Sequence, residues 1–193
     1  MKGIKLLALA AFSAAFLSFT PENKKLIVID AGHGGNDMGA HRNGIYEKDI
    51  VLSIGKEIQK FNATQSKYEV ILTRDSDTDL PLSERTIFIN QLHPELVISL
   101  HINSSADRHS TQEGPEIYTQ NTENSKKLAE RISRKFNVQK IEDRNLHILR
   151  ESKVPAVIME LGFVNNPKDE TYMSSEAGQK EIARKLTEVF KEY

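Results

Sequence analysis

From residue 25 onward the chain alternates short apolar runs with longer stretches whose apolar residues recur every three or four positions. The runs KLIVID (25–30), YEVILT (68–73), ELVISLH (95–101), PEIYT (115–119), LHILR (146–150) and PAVIMEL (155–161) read as β-strands. Several are apolar at successive positions rather than alternate ones. That pattern suits strands covered on both faces, as in a largely parallel sheet. Between them, residues 47–61 carry Ile50, Ile54, Ile58 and Phe61 at helical spacing, 82–92 follow Pro81, and 124–136 and 175–192 are amphipathic as well. No repeat, linker or low-complexity segment interrupts the series. The pattern predicts a single α/β domain built on a mixed sheet.

The first twenty residues have a different build. MKGIKLLALAAFSAAFLSFT sets Lys2 and Lys5 before an apolar run from Leu6 to Phe19, followed by polar TPENKK. This is the design of a secretory signal peptide, and the run is shorter than the roughly 20 residues of a spanning helix. Residues 1–20 are therefore expected to be a cleaved signal and 21–193 the folded unit, although no clean A-x-A motif marks the cut. No cysteine is present for a lipid anchor. The expectation is an exported protein, periplasmic or otherwise extracytoplasmic, with no stable membrane anchor.

Composition narrows the chemistry. The formal charge is −1, and loss of residues 1–20 removes two lysines and no acid, leaving −3. Basic residues are scattered, with no stripe of Lys or Arg interleaved with aromatics, so no nucleic-acid partner is expected. The absence of cysteine excludes thiolate metal sites and a cysteine nucleophile. Any metal chemistry must use histidine and carboxylates.

The stretch LIVIDAGHGGNDMGA, Leu26 to Ala40, places His33 just beyond the first strand and among glycines. In open α/β sheets ligands bind beyond the carboxyl ends of the strands. His101 closes ELVISLH and Glu160 closes AVIME, so parallel strands would bring all three to one rim. Glu47, where the loop after His33 turns into the first helix, can reach the same rim. Two histidines and two glutamates suit zinc. Other readings stay open from pattern alone: His33 as a turn residue, His101 as a polar strand end, Glu47 as a first-turn acid favoured by the helix dipole. Glu160 is the hardest to explain away, because a carboxylate after four apolar residues loses its hydration unless a metal or an arginine binds it.

The blocks VIDAGHGGNDMGA, NGIYEKDIVLSI, VILTRDSDTDLPLSERTIFIN, ISLHINS and PAVIMELGFVNN resemble, in order and spacing, the signatures of the zinc-dependent N-acetylmuramoyl-L-alanine amidases of the amidase-3 family. The resemblance runs from about Leu26 to the C-terminus. It implies a mixed, mostly parallel six-stranded sheet flanked by helices on both faces. It also implies one zinc ion held by His33, Glu47 and His101, with Glu160 as catalytic acid and base. The implied substrate is peptidoglycan, cut between the lactyl group of N-acetylmuramic acid and L-alanine. Departures are small: Ala31 and Met38 stand where the family often has proline, and Ile102 where it usually has a small residue.

Around this set, Asp30 is a candidate for orienting a ligand or for supporting the strand end. Arg74 and Arg85 are candidates for structural ion pairing or substrate contact, and Asn103 and Asn165 for polar groups near the pocket. His41, His93, His109 and His147 are taken as non-ligands. Some relatives carry a helical plug after the S-x-H-x-N block; only SSADRHSTQEGP follows here, so no obligatory activator is expected. Two alternatives use the same residues: a zinc peptidase cutting within the stem peptide, and a non-catalytic peptidoglycan-binding module.

Overall fold

A computed structural model describes residues 24–64, 67–107 and 111–193. The expected signal segment, residues 1–20, lies outside the described residues. In chain order the elements are β1 (Lys25–Ala31), β2 (His41–Arg42), β3 (Ile45–Tyr46), α1 (Glu47–Asn62), β4 (Tyr68–Leu72), α2 (Leu82–Leu92) and β5 (Leu96–Asn103). There follow β6 (Glu116–Thr119), α3 (Glu123–Ser133), β7 (Lys140–Asp143), α4 (His147–Glu151), β8 (Ala156–Phe163), α5 (Pro167–Ser174) and α6 (Glu176–Lys191). Six strands form one sheet in the order β4-β1-β5-β8-β6-β7, and β2 and β3 form a separate hairpin. All neighbouring pairs in the main sheet are parallel except β6–β8.

The successive apolar positions in the strands are explained by two cores. Ile27, Ile29, Leu96, Ile98, Val157 and Met159 face the larger core, against α1, α3 and α6. Val28, Val97 and Ile158 face the other, where Ile89 of α2 and Ile148 and Leu149 of α4 cover them. With side chains alternating across the sheet, each central strand needs apolar residues at both parities. A mixed, mostly parallel six-stranded sheet with helices on both faces is what the sequence led us to expect.

Two elements depart from the sequence reading. LHILR is not a strand: after Leu146 it turns into the short helix α4, whose Ile148 and Leu149 drop into the smaller core. The sixth strand is instead KIED, β7, an edge strand beside β6 with exposed positions. An edge strand open to water has no need of an apolar run, so periodicity does not reveal it. The β2–β3 hairpin and α5 were also unforeseen, although each has a local signal. Asn43 and Gly44 both take positive φ, 52° and 81°, as a tight hairpin requires. Asn166 caps α5, accepting from the Lys168 and Asp169 amides ahead of Pro167 in the first turn.

Near its C-terminal end, β1 is tied to three neighbouring segments by one carboxylate. Asp30, 1% exposed, accepts from Ser99 Oγ at 2.6 Å, Thr73 Oγ1 at 2.7 Å and Arg85 Nη1 at 2.8 Å. Burial pushes this carboxyl up, but the Arg85 charge and the three hydrogen bonds outweigh burial and hold it below its ordinary 3.8. A group depressed in this way stabilises the fold above its unfolded pKa, and the contribution is lost as pH falls. In urea melts followed by circular dichroism, the stability difference between the parent protein and Asp30→Asn should therefore be level from about pH 7 to 5 and narrow below about pH 4. The substitution should lower neutral-pH stability by about 3–5 kcal/mol, because Arg85 is left buried without its counter-charge.

Candidate metal centre

Three parallel strands deliver the central residues to one rim. His33 follows β1, His101 lies near the end of β5, and Glu160 lies in β8 directly opposite His101 in register. Glu47 opens α1 and reaches back to the same place. His33 Nε2 and His101 Nδ1 each stand 2.9 Å from Glu47 Oε1 and 3.1 Å from one another. Ligand atoms on a tetrahedral zinc, at bonds of about 2.0–2.1 Å, are about 3.3 Å apart. The triangle is tighter than that spacing by about 0.2–0.4 Å, so the three groups converge on one point that an ion would spread slightly, and both imidazoles keep 23% of their side-chain surface exposed. These three residues are the group among the described residues whose donor atoms converge as a metal ion requires.

The carboxylate is fixed from several sides. Glu47 is 2% exposed; Oε2 accepts from the Ala40 amide at 2.6 Å and Oε1 from the Ile102 amide at 2.9 Å. Burial pushes Glu47 up, but the hydrogen bonds and charges of His101 and His33 outweigh it and hold it at about 2. His33 is driven the other way: burial lowers it, while Glu47 and Asp37 together raise it to about 9. Asp37 Oδ2 stands 2.8 Å from His33 Nδ1, the ring nitrogen turned away from the cluster. A carboxylate there sets the tautomer that leaves Nε2 free to coordinate.

Glu160 makes a different contribution. Its Oε2 is buried with no hydrogen-bond partner among the described residues. Burial is the main cause that raises it to about 7, with the Glu47 and Glu116 charges adding to the rise and His101 opposing it. Glu116 is its register partner on antiparallel β6, so His101, Glu160 and Glu116 form a row across three adjacent strands. Asn103 Nδ2 and Tyr118 Oη both donate to Glu116 Oε2, at 3.3 and 2.9 Å.

The loop carrying His33 is held by arginines. Arg85 donates to the carbonyls of Ala31, His33 and Leu80 as well as to Asp30. Arg74 donates to the carbonyls of Ala31, Gly32, Ser76 and Lys48. His33 itself takes φ 59°, a left-handed conformation unusual for a non-glycine residue, which this clasp sustains. Both guanidiniums thus bond backbone carbonyls; Arg85 also pairs with Asp30 and lines the cavity beside the cluster. Asp30 bonds neither histidine but Thr73, Arg85 and Ser99 at the strand end, and it is Asp37 that bonds His33. Asn165 pins the 104–107 segment through the Ser105 amide and carbonyl. His41 and His147 stay out of the cluster, His41 bonding the Gly39 carbonyl.

Asp37, Gly39 and Glu116 were missed by the sequence reading. Asp37 lies four residues past His33, but nothing in the spacing says that its side chain turns back. Gly39 matters through space: a Cβ there would lie 2.4 Å from Glu47 Oε2 and 2.7 Å from His33 Cδ2. Gly32 is similar, since a Cβ would fall 2.4 Å from His101 Cε1. His33, His101 and Glu160 open onto one cavity of about 480 Å3.

Fold and cluster together define the class: an open α/β domain with two histidines and a glutamate gathered at the carboxyl ends of its parallel strands, beside a buried acid. Residues 27–191 match the family model Amidase_3, N-acetylmuramoyl-L-alanine amidase, and the chain belongs to that family. The endolysin of Bacillus phage SPP1 is 32% identical over 168 residues, covering 82% of this chain and 62% of the endolysin. The solved catalytic domain of CwlV, an N-acetylmuramoyl-L-alanine amidase from Bacillus (Paenibacillus) polymyxa var. colistinus, is 33% identical with a TM-score of 0.82, covering 88% of this chain and 97% of that one. The CwlD amidase from Clostridioides difficile, solved in complex with the GerS lipoprotein, is 26% identical with a TM-score of 0.79, covering 88% and 98%. The chain therefore spans under two thirds of the endolysin but nearly all of two solved amidase structures. Membership places it among the enzymes that hydrolyse peptidoglycan.

Gly39→Ala tests how tightly the cluster is built. The variant should fold, yet bind a divalent metal at least about tenfold more weakly by competition with a chromogenic chelator, because the new methyl group displaces Glu47 or His33. Unchanged affinity would show that the cluster tolerates that displacement.

Proposed function

We propose that the protein is a zinc-dependent N-acetylmuramoyl-L-alanine amidase that acts outside the cytoplasm and cuts the amide joining the lactyl group of N-acetylmuramic acid to L-alanine of the stem peptide. The observation that carries this reading is the triangle of His33 Nε2, His101 Nδ1 and Glu47 Oε1 beside the unpartnered Oε2 of Glu160. A zinc ion held by those three atoms supplies Lewis acidity, polarising a carbonyl and making water far more acidic than in bulk.

The chain's own groups do the rest. Glu160 accepts a proton as water adds to the amide carbonyl, and returns it to the nitrogen as the carbon–nitrogen bond breaks, so that the stem peptide leaves with a neutral amine. Its unpartnered oxygen faces no competing hydrogen bond that would have to break first. Asp37 keeps His33 in the tautomer that presents Nε2, and Arg74 and Arg85 keep the loop from relaxing.

No helix among the described residues is long and apolar enough to cross a membrane. Action on the cell wall together with the signal-like residues 1–20 supports export. The twelve residues between β5 and β6 leave little chain for a plug over the site, so activity without an activator is our reading, although CwlD has been solved with a lipoprotein partner. A zinc peptidase cutting within the stem would use the same residues and is separated only by its products.

Purified protein alone, incubated with peptidoglycan, should release intact stem peptides that begin with free L-alanine, as read by mass spectrometry, and a zinc chelator should abolish the release. Cuts elsewhere in the stem would establish the peptidase, and tight wall binding without release the binding module. Glu160→Gln should lower turnover by about 10²–10⁴-fold while zinc content stays at that of the parent protein. His101→Ala should lose the metal; if Glu160→Gln loses it instead, the roles assigned here are wrong.

A further inference from the structure

Glu160 Oε2 is buried without a hydrogen-bond partner, yet donors stand close by. Residues directly opposite one another in antiparallel strands share a face, with Cβ atoms about 4.5–5.5 Å apart, and long side chains also reach the diagonal neighbour two residues on. Glu116 of β6 is directly opposite Glu160, and Tyr118, which pairs with Ile158, is the diagonal neighbour. Asn103 follows His101 by two residues at the end of β5. Tyr118 and Asn103 therefore bring a hydroxyl and an amide to the surroundings of Glu160.

Both groups donate to one oxygen of a different carboxylate. Tyr118 Oη and Asn103 Nδ2 meet at Glu116 Oε2, at 2.9 and 3.3 Å. Because β8 lies between β5 and β6, the Asn103–Glu116 bond spans the strand that carries Glu160. The Tyr118 ring is packed against the smaller core, which fixes the place from which its hydroxyl bonds. That hydroxyl is pushed up to about 12, first by burial and then by the bond and charge of Glu116, with the charge of Glu160 adding to them. Both acids act on this one proton, and Glu116 holds it. As a carboxylate Glu116 accepts, and it has no hydrogen of its own to offer Glu160. The free oxygen of Glu160 is thus the counterpart of an occupied oxygen on Glu116. A base that already holds a donor must release it before it takes a proton from water, so the occupancy of Glu116 bears on turnover.

We propose that Glu116 is a positioning residue for the amidase reaction: by engaging the Tyr118 hydroxyl and the Asn103 amide it keeps both from Glu160 and leaves that carboxyl free to carry the proton. This rests on the amidase reading above, which gives Glu160 its role.

The test removes the acceptor and then the donor, with a soluble muramyl peptide as substrate. In Glu116→Ala the Tyr118 hydroxyl turns to Glu160, and kcat should fall about tenfold or more while KM and zinc content stay within about twofold of the parent. Adding Tyr118→Phe takes the liberated hydroxyl away and should recover kcat by at least about threefold over Glu116→Ala, whereas two structural losses would deepen one another. Glu116→Gln keeps the size of the side chain but turns an amide donor toward Glu160, and it should lose kcat likewise. A crystal structure of Glu116→Ala should place Tyr118 Oη within about 3.2 Å of a Glu160 carboxyl oxygen, a readout that needs no substrate. Parent-like kcat in both Glu116 variants overturns the inference, as does a double variant no faster than Glu116→Ala or a Tyr118 hydroxyl that does not reach Glu160. A parent protein that frees no stem peptide is a separate result, seen before any substitution, and defeats the amidase reading together with the inference.

Discussion

Where the backbone leaves β1 it turns away from the sheet at Gly32, and the carbonyls that follow lose the strand partners that satisfied those before them. Arg74 and Arg85 supply what is lost, with seven hydrogen bonds to carbonyls between Ala31 and Leu80 and an ion pair to Asp30. Both side chains are nearly buried, 4% and 3% exposed. A guanidinium is suited to this because it carries five donors in a fixed plane and does not lose its proton. The left-handed His33, the approach of Gly32 to His101 and the position of the whole loop over the sheet all depend on these bonds. The loop that carries His33 is thus positioned by two buried cations.

Within that frame the cluster is an electrostatic problem with one good solution. Glu47 is buried and ionised, which is unfavourable in isolation, and two imidazoles share a single one of its oxygens. Three donor atoms within about 3 Å of one another, two nitrogens and an oxygen, satisfy each other through protons only by charging a histidine, the tendency seen in His33. A divalent cation satisfies all three lone pairs together and leaves both rings neutral. Glu160 sits just outside this arrangement, without a donor of its own and beside the like charge of Glu116. Burial and charge have pulled the two glutamates of the site apart, Glu47 down and Glu160 up, the divergence on which the proposed roles of ligand and proton carrier rest.

The cavity beside the cluster is lined by both kinds of side chain: His33, His101 and Glu160 share it with Leu80, Leu82 and Leu146 and, from the smaller core, Ile148 and Ile158. The segment from Leu146 to Glu151 contributes to it because it forms a helix that sinks Ile148 and Leu149 while leaving Leu146 exposed. Had LHILR been the strand that its apolar residues suggested, Ile148 and Leu149 would not cover this face of the sheet as they do.

The central strands were legible because burial on two faces demands apolar residues at every position, a requirement written locally into KLIVID and PAVIMEL. The site residues were legible as candidates by their place at the strand ends, but local readings stayed open for His33, His101 and Glu47, and it was the resemblance of the blocks around them that singled them out. KIED was hidden because an exposed edge makes no demand on composition, and LHILR was misread because five residues are too few to tell a helical face from a strand. The sequence by itself determined which chemistry was available, histidine and carboxylate without thiols, and which faces had to be buried. Only the tertiary structure decided that His33 and His101, 68 residues apart, come within 3.1 Å, that Asp37 rather than Asp30 bonds His33, and that both arginines bond backbone carbonyls. Periodicity is a property of neighbours along the chain, whereas those distances follow from the register between strands, and a slip of one residue would turn His101 to the opposite face of the sheet.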